Sequence, residues 1–285
     1  MRVRVSAIWI VYAFAVLAIG GVLVSLLGNV IASVSLEADF GDLTSSNFVR
    51  LFADPDLPAV LGRTLIQGSG TVVITMSFSV PIAWLIARTD FPWKGALVTL
   101  LTAKLAIPGF ITAMAYVWLF NPTSGIVNKL MGATGMDATP VANVYGLDWI
   151  CFLQGIVLVP ACVFMLLPAF NNMDATLEEA AWVSGVSRAR TLRRIVMPLL
   201  APGVVAAMLF FFVIAIEVFD FVGLIGMPGK IEVLSLWIYD ATHPVTAVPN
   251  YGFAGAAGMT MFALSGAAIA FYVRFGDIVS TQMLI

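Results

Sequence analysis

Long apolar runs recur along this chain, separated by short polar stretches. A helix that crosses a bilayer core needs roughly 20 apolar residues. Runs of that kind predict six spans, at about residues 7–33, 61–87, 96–120, 149–170, 199–225 and 251–273. Five loops of different character lie between them. Residues 37–58 are polar and punctuated by Asp and Pro, RTDFPWKG is short, residues 121–148 are rich in Gly and Asn, residues 174–198 are charged with a helical pattern, and residues 226–250 are mixed. The pattern predicts an all-α integral membrane protein with six transmembrane helices. It shows no heptads, low-complexity tract or internal repeat, and only about a dozen residues follow the last span. The expectation is one transmembrane domain over 1–285, with its core at about 60–275.

Composition supports that class. The chain is 61% hydrophobic and 11% charged, whereas soluble domains carry about a quarter charged residues. A net charge of −2 supplies no basic field for nucleic acid. Cys151 and Cys162 are eleven residues apart in one apolar run, roughly 16 Å along a helix and too far for a disulfide. They are expected to be small packing residues. The first apolar run is longer than a cleaved signal core, so it is taken as the first span, with Arg2 and Arg4 inside. Basic residues then fix the orientation. With both ends in the cytoplasm, nine fall inside and four outside (Arg50, Arg63, Lys129 and Lys230), leaving Lys104 near the inner end of the third span.

The charged stretch between the fourth and fifth spans holds four of the fourteen Lys and Arg residues. Thr176 with Glu179 fits a capping box, Asp174, Glu178 and Glu179 suit the positive end of a helix, and the arginines come later. Gly185 interrupts the run. Ser187 is placed to cap a second short helix, RARTLRRIVM, which ends where Pro198 opens the fifth span. On these features alone two readings stand: an amphipathic loop on the membrane surface, or a functional element.

The order of residues separates the two. Glu179-Ala180-Ala181, then Gly185, then Ile195 and Pro198 resembles the EAA motif of importer permeases in the ATP-binding-cassette superfamily, with Met197 where the motif has leucine. The resemblance implies that residues 174–198 form a cytoplasmic coupling segment docking on a separate ATPase subunit, with Glu178, Glu179, Ala180, Ala181, Gly185, Ile195 and Pro198 as its residues. It covers about residues 40–275. TLIQGSGTVVITMSFSVPIAWLIARTDFPWKG, IPGFITAMAYVWLFNPTSGIVNKLMG and IEVFDFVGLIGMPGKIEVLSLWIY are similar to segments of the ferric iron-type permeases, with Val222 where those have proline. The family implies a second permease (identical or homologous), a periplasmic or extracellular substrate-binding protein, and contact with membrane lipid. It also implies a bacterial inner membrane location with both termini inside. ATP and Mg are bound by the partner ATPase, so no cofactor belongs to this chain.

Other polar residues have plainer alternatives. Glu217 and Asp220 are three apart and would share a helix face, about 27 Å along the fifth span and so near the outer mouth. They serve either as a pathway or outer-gate pair or as acids snorkelling to interfacial water. Lys104 is expected to snorkel at the inner side. His243, the one histidine, has no second ligand at metal-binding spacing. Pro81, Pro108, Pro160 and Pro168 are candidate kinks. The chain has no G-x-x-x-x-G-K-[ST], no H-E-x-x-H and no Ser/His pair within a span, so it is not expected to be an enzyme.

The function these readings imply is that of a permease subunit in an ATP-driven, binding-protein-dependent importer. Ferric iron is the first substrate expectation, followed by 2-aminoethylphosphonate, polyamine, thiamine or an oxyanion. The rival is an ion-coupled secondary transporter using Glu217 and Asp220 as its relay. A membrane scaffold without transport is a further alternative.

Overall fold

The apolar runs fold as helices, because within lipid only a helix satisfies every backbone group of a single segment. A computed structural model describes residues 5–35, 43–134, 143–174 and 176–283. Arg2, Arg4 and part of the loop after the first span lie outside them. In chain order the helices are α1 (Val5–Ser33), α2 (Ser46–Ala53), α3 (Leu57–Arg88), α4 (Lys94–Leu105), α5 (Gly109–Phe120), α6 (Ile126–Ala133), α7 (Leu147–Asn172), α8 (Thr176–Val183), α9 (Arg188–Thr191), α10 (Met197–Glu217), α11 (Met227–Gly229), α12 (Leu234–Thr242) and α13 (Tyr251–Met283). No strand occurs among the described residues, only an isolated bridge from Ser35 to Leu43.

Five of these stretches are long and apolar enough to cross a membrane. The expected third span is not one of them. Residues 96–120 are split into α4 and α5, which meet at 99°. Pro108 is the cause: it has no N–H to donate and disfavours helical geometry at Ile107. It sits at the N-cap of α5 with φ −55° and ψ 144°. Pro81, Pro160 and Pro168 lie inside intact helices, so among the four prolines singled out Pro108 makes the break. Counting α4 and α5 as one bent span gives six. A second bent pair, Val222–Gly229 with Leu234–Thr242, would make seven.

The fifth span also departs from expectation. Arg188 begins a helical run that continues to Glu217 through a π-helical turn at Leu192–Val196, so the expected separate second helix merges with the span. Pro198 lies just past the wide turn. Pro198 has no N–H for the Arg194 carbonyl four residues back, and the residue before it bonds one residue further than usual, the Met197 N–H reaching Leu192 O. The run ends earlier than expected, at Glu217, because Val218 is extended (φ −68°, ψ 122°).

Two compact units are formed. One draws on the segments up to Pro58 and Trp237–Leu264, the other on Ala59–Leu236 and the segment from Ser265 onward. In the first unit, α1 is apolar and its spanning window is unburied, a surface suited to lipid. Asn47 of α2 ties to its end, donating from Nδ2 to Ser33 O and Ser35 O at 3.2 and 2.9 Å.

The second unit carries the core. Phe170, Leu166 and Val163 of α7 pack with Phe211 and Leu200 of α10 and with Ala83 and Ile86 of α3. Small residues let the backbones approach, as in membrane bundles generally. A methyl group on Gly155 would come within 2.8 Å of Ile74, and one on Gly68 within 2.6 Å of Phe212. One face of α3 is a fully buried polar stripe of Thr64, Gln67, Thr71, Thr75 and Ser79, spaced three or four residues apart. Thr75 donates to Gly155 O at 3.0 Å and Ser79 to Val159 O at 3.3 Å. These hydroxyls join α3 to α7 in the buried interior.

Candidate coupling segment and pathway pocket

Helix α8 begins at Thr176 as its acidic first turn suggests. The acceptor at this end is Asp174, whose Oδ1 takes the Thr176 backbone N–H at 3.0 Å. That N–H, and after it the Thr176 hydroxyl, hold the Asp174 carboxyl below the usual carboxylate range. The cap therefore comes from the residue two before Thr176, not from the Thr176–Glu179 box.

The other end closes as a Schellman motif. Gly185 N–H donates to Trp182 O at 2.9 Å and Val186 N–H to Ala181 O at 3.0 Å. Gly185 has φ +76°, the left-handed region that side-chain-bearing residues avoid. The sequence expectation of a bend at Gly185 thus has a definite geometry.

The faces of α8 divide the expected coupling residues. Glu178 and Ala181 are buried, whereas Glu179 and Ala180 are exposed. Leu177 and Trp182 are 45% and 40% exposed and Val183 90%. Ala181 is packed within the chain. Ile195 is half-buried and Pro198 exposed. Glu178 pairs with Arg88 at the end of α3, with Nε to Oε1 at 3.0 Å. The same guanidinium donates from Nη2 to Met173 O at 2.6 Å, and Met173 is the C-cap of α7. Arg88 thus binds the ends of α3 and α7 to the first turn of α8. Beside it lies a cleft of about 290 Å³ lined by Asp90, Lys94, Glu179 and Trp182 among others.

The other predicted pair falls on two helical segments. Glu217 is exposed at the end of α10, and Asp220 starts the helical turn that follows, so they do not share one helix face. The break at Val218 is the reason. Asp220 instead meets Lys104 across a cavity of about 210 Å³ whose lining includes Gln154, Leu105, Ile107 and Leu158. Lys104 was expected at the inner side and Asp220 at the outer. The break at Pro108 brings them to one cavity, because it puts Lys104 at the corner of a bent span. Lys104 Nζ donates to Thr112 Oγ1 at 3.1 Å. Asp220 lies against the first turn of α5: a methyl on Gly109 would come within 2.6 Å of its Oδ2. A carboxylate is favoured there by the helix dipole.

Gln154 was missed by sequence reasoning, as was its partner Gln67. Gln67 Nε2 donates to Gln154 Oε1 at 3.2 Å and to Ala215 O at 3.0 Å, and Gln154 Nε2 donates to the same carbonyl at 3.0 Å. The Thr71 hydroxyl reaches Gln154 Oε1 at 3.4 Å. Polar residues at helical spacing inside apolar runs were the available signal.

Residues 79–277 match the model of the binding-protein-dependent transport system inner membrane component family, well over half of the 285 residues. The chain belongs to that family. It is accordingly a multi-pass inner-membrane permease component of an ATP-binding-cassette importer and not an enzyme; ATP hydrolysis falls to a partner ATPase. Among curated relatives it is 25% identical to the sulfoquinovosyl glycerol transport system permease SmoG of Agrobacterium fabrum, over 84% of this chain and 77% of that one. It is 28% identical to the trehalose/maltose permease MalG of Thermococcus litoralis, over 62% and 58%, and 26% identical to the spermidine/putrescine permease PotB of Escherichia coli, over 71% and 77%. The fold is that of a chain in a bacterial alginate ABC transporter crystallised with its alginate-loaded periplasmic protein, with a TM-score of 0.75 at 20% identity over 94% of both chains.

Proposed function

We propose that α8 and its Gly185 bend are the coupling element through which a cytoplasmic ATPase drives this permease. The observation that supports it is the outward face of α8: Glu179, Ala180, Trp182 and Val183 are exposed on a short helix held at both ends and bolted through Glu178 to Arg88. An exposed apolar side chain beside a charge is the composition of a docking surface. In this reading residues 1–285 act as one permease domain, paired with a second permease and served by an external binding protein. Both termini and α8 face the cytoplasm. Ile195 and Pro198 shape the entry to α10, where the π turn sits.

Ferric iron has little support as the substrate. The relatives named above move sugars and polyamines by their names. The ion-coupled alternative uses Glu217 and Asp220 as its relay, and the end of α10 at Glu217 puts the two on different helical segments.

The test is purification of the chain from its native membranes with its bound subunits. Glu179→Arg and Gly185→Pro are expected to lose the ATPase while the chain stays folded in the membrane. Normal co-purification of the ATPase with both variants overturns the assignment, as does uptake driven by a proton gradient with no ATPase present.

A further inference from the structure

Beyond the coupling segment, one cavity combines unlike charges in a way the permease role alone does not require. Lys104, at the end of α4, and Asp220, just beyond the end of α10, both line it. The ion pairs among the described residues are Arg63–Glu232 and Arg88–Glu178, so Lys104 and Asp220 do not neutralise each other by direct contact. Lys104 has three N–H donors and Thr112 takes one. Gln154 has two amide N–H groups and Ala215 O takes one. Asp220 is acceptor-only when ionised. The cavity therefore offers spare donors and a strong acceptor across walls that include Leu105, Ile107 and Leu158.

Its charge balance and lining restrict the occupant together. A cation drawn to Asp220 meets the Lys104 ammonium, and an oxyanion drawn to Lys104 meets the Asp220 carboxylate; a zwitterion answers both charges but leaves the wall of Leu105, Ile107 and Leu158 uncovered. A neutral solute with hydroxyls around an apolar ring uses all of these features at once: hydroxyls donate to Asp220 and accept from Lys104 and Gln154, while ring C–H groups lie on the aliphatic side chains. The volume of about 210 Å³ is below the roughly 300–1,000 Å³ of drug-sized sites, so one ring is accommodated and not an oligomer. We propose that this pocket is a substrate subsite for a single uncharged, hydroxyl-rich sugar ring. The proposal rests on the importer reading and names its substrate class.

Gly109 completes the site. A side chain there displaces the Asp220 carboxylate, which as the end of a flexible side chain moves at little cost to the fold. Gly109→Ala should therefore act like Asp220→Asn.

The experiment uses the intact chain with its co-purified subunits in nanodiscs and reads saturation-transfer NMR. The probes are neutral sugars (glucose, galactose, maltose and trehalose), compared with sulfate by competition, spermidine and glycine. Neutral sugars are expected to receive saturation, with binding weakened at least about tenfold in Lys104→Met and Asp220→Asn, the loss typical of a hydrogen bond to a charged group. Gly109→Ala should match the second variant. ATPase co-purification must persist in all three, which separates this proposal from the coupling assignment. If the ATPase stays bound and no neutral sugar binds, or sugars bind equally to all variants, or a charged probe binds instead, the pocket proposal is overturned and the importer reading stands.

Discussion

Asp174 and Gly185 each hold one end of α8, by different physics. Asp174 is fully exposed and its carboxyl is held below the usual range by the Thr176 amide. A carboxyl depressed in the folded state stabilises above its unfolded pKa and loses that effect as pH falls through the folded value. The start of α8 should therefore stay protected at neutral pH and fray only in acid below about pH 4. Amide exchange at Thr176 measured against pH checks this, and Asp174→Asn should remove the acid-dependent step. A capping carboxylate was legible in the sequence as an acidic helix start. Which acid does the capping was not, since Asp174, Glu178 and Glu179 all lie within reach of the same first turn. Gly185 was fully legible, because a lone glycine between two helical patterns has few other uses.

At the level of elements, the Arg88–Glu178 pair ties three helix ends into one joint. Removing one member of a buried ion pair leaves the other charge uncompensated, which costs about 3–5 kcal/mol, whereas replacing both is far milder. Arg88→Met alone should thus destabilise the chain more than Arg88→Met with Glu178→Leu. Thermal unfolding in nanodiscs, with Glu178→Leu measured as well, would decide it; a double-mutant loss equal to the sum of the two single losses would mean that the pair carries no coupling energy. Nothing local announces this joint: its partners are 90 residues apart, and the EAA resemblance places Glu178 among the coupling residues without a partner in α3. The break in the third span was half legible. Pro108 was marked as a candidate kink alongside three other prolines, but those sit in helices whose neighbours keep them intact. Packing decides which proline breaks its helix, and packing is not written in a window of sequence.

Over the whole molecule, span positions were the most legible feature, because apolarity and length act locally against a bilayer of fixed thickness. The interior contacts were the least legible. Gln67, Gln154 and the Ala215 carbonyl come from three helices; Gln67 stands in a polar stripe, but nothing in the other two runs marks Gln154 and Ala215 as its partners. Their shared network predicts asymmetry in mutants. Gln154→Leu strands Gln67 and should cost about 1–3 kcal/mol, while the double change with Gln67→Leu should cost less than the sum of the two singles. Double-mutant unfolding measurements check it, with simple additivity as the contrary result.

The polar stripe of α3 also bears on the order in which the chain is made. The ribosome delivers α3 to the bilayer before its hydrogen-bonding partners exist, since the Ala215 carbonyl arrives 148 residues after Gln67. Until α7 and α10 are synthesised, the amide of Gln67 has only lipid, residual water or the translocation machinery to answer it. The same groups that join the finished bundle therefore mark an unfinished one as incomplete. Membrane quality-control proteases could recognise a chain stalled at that stage by that exposed polarity.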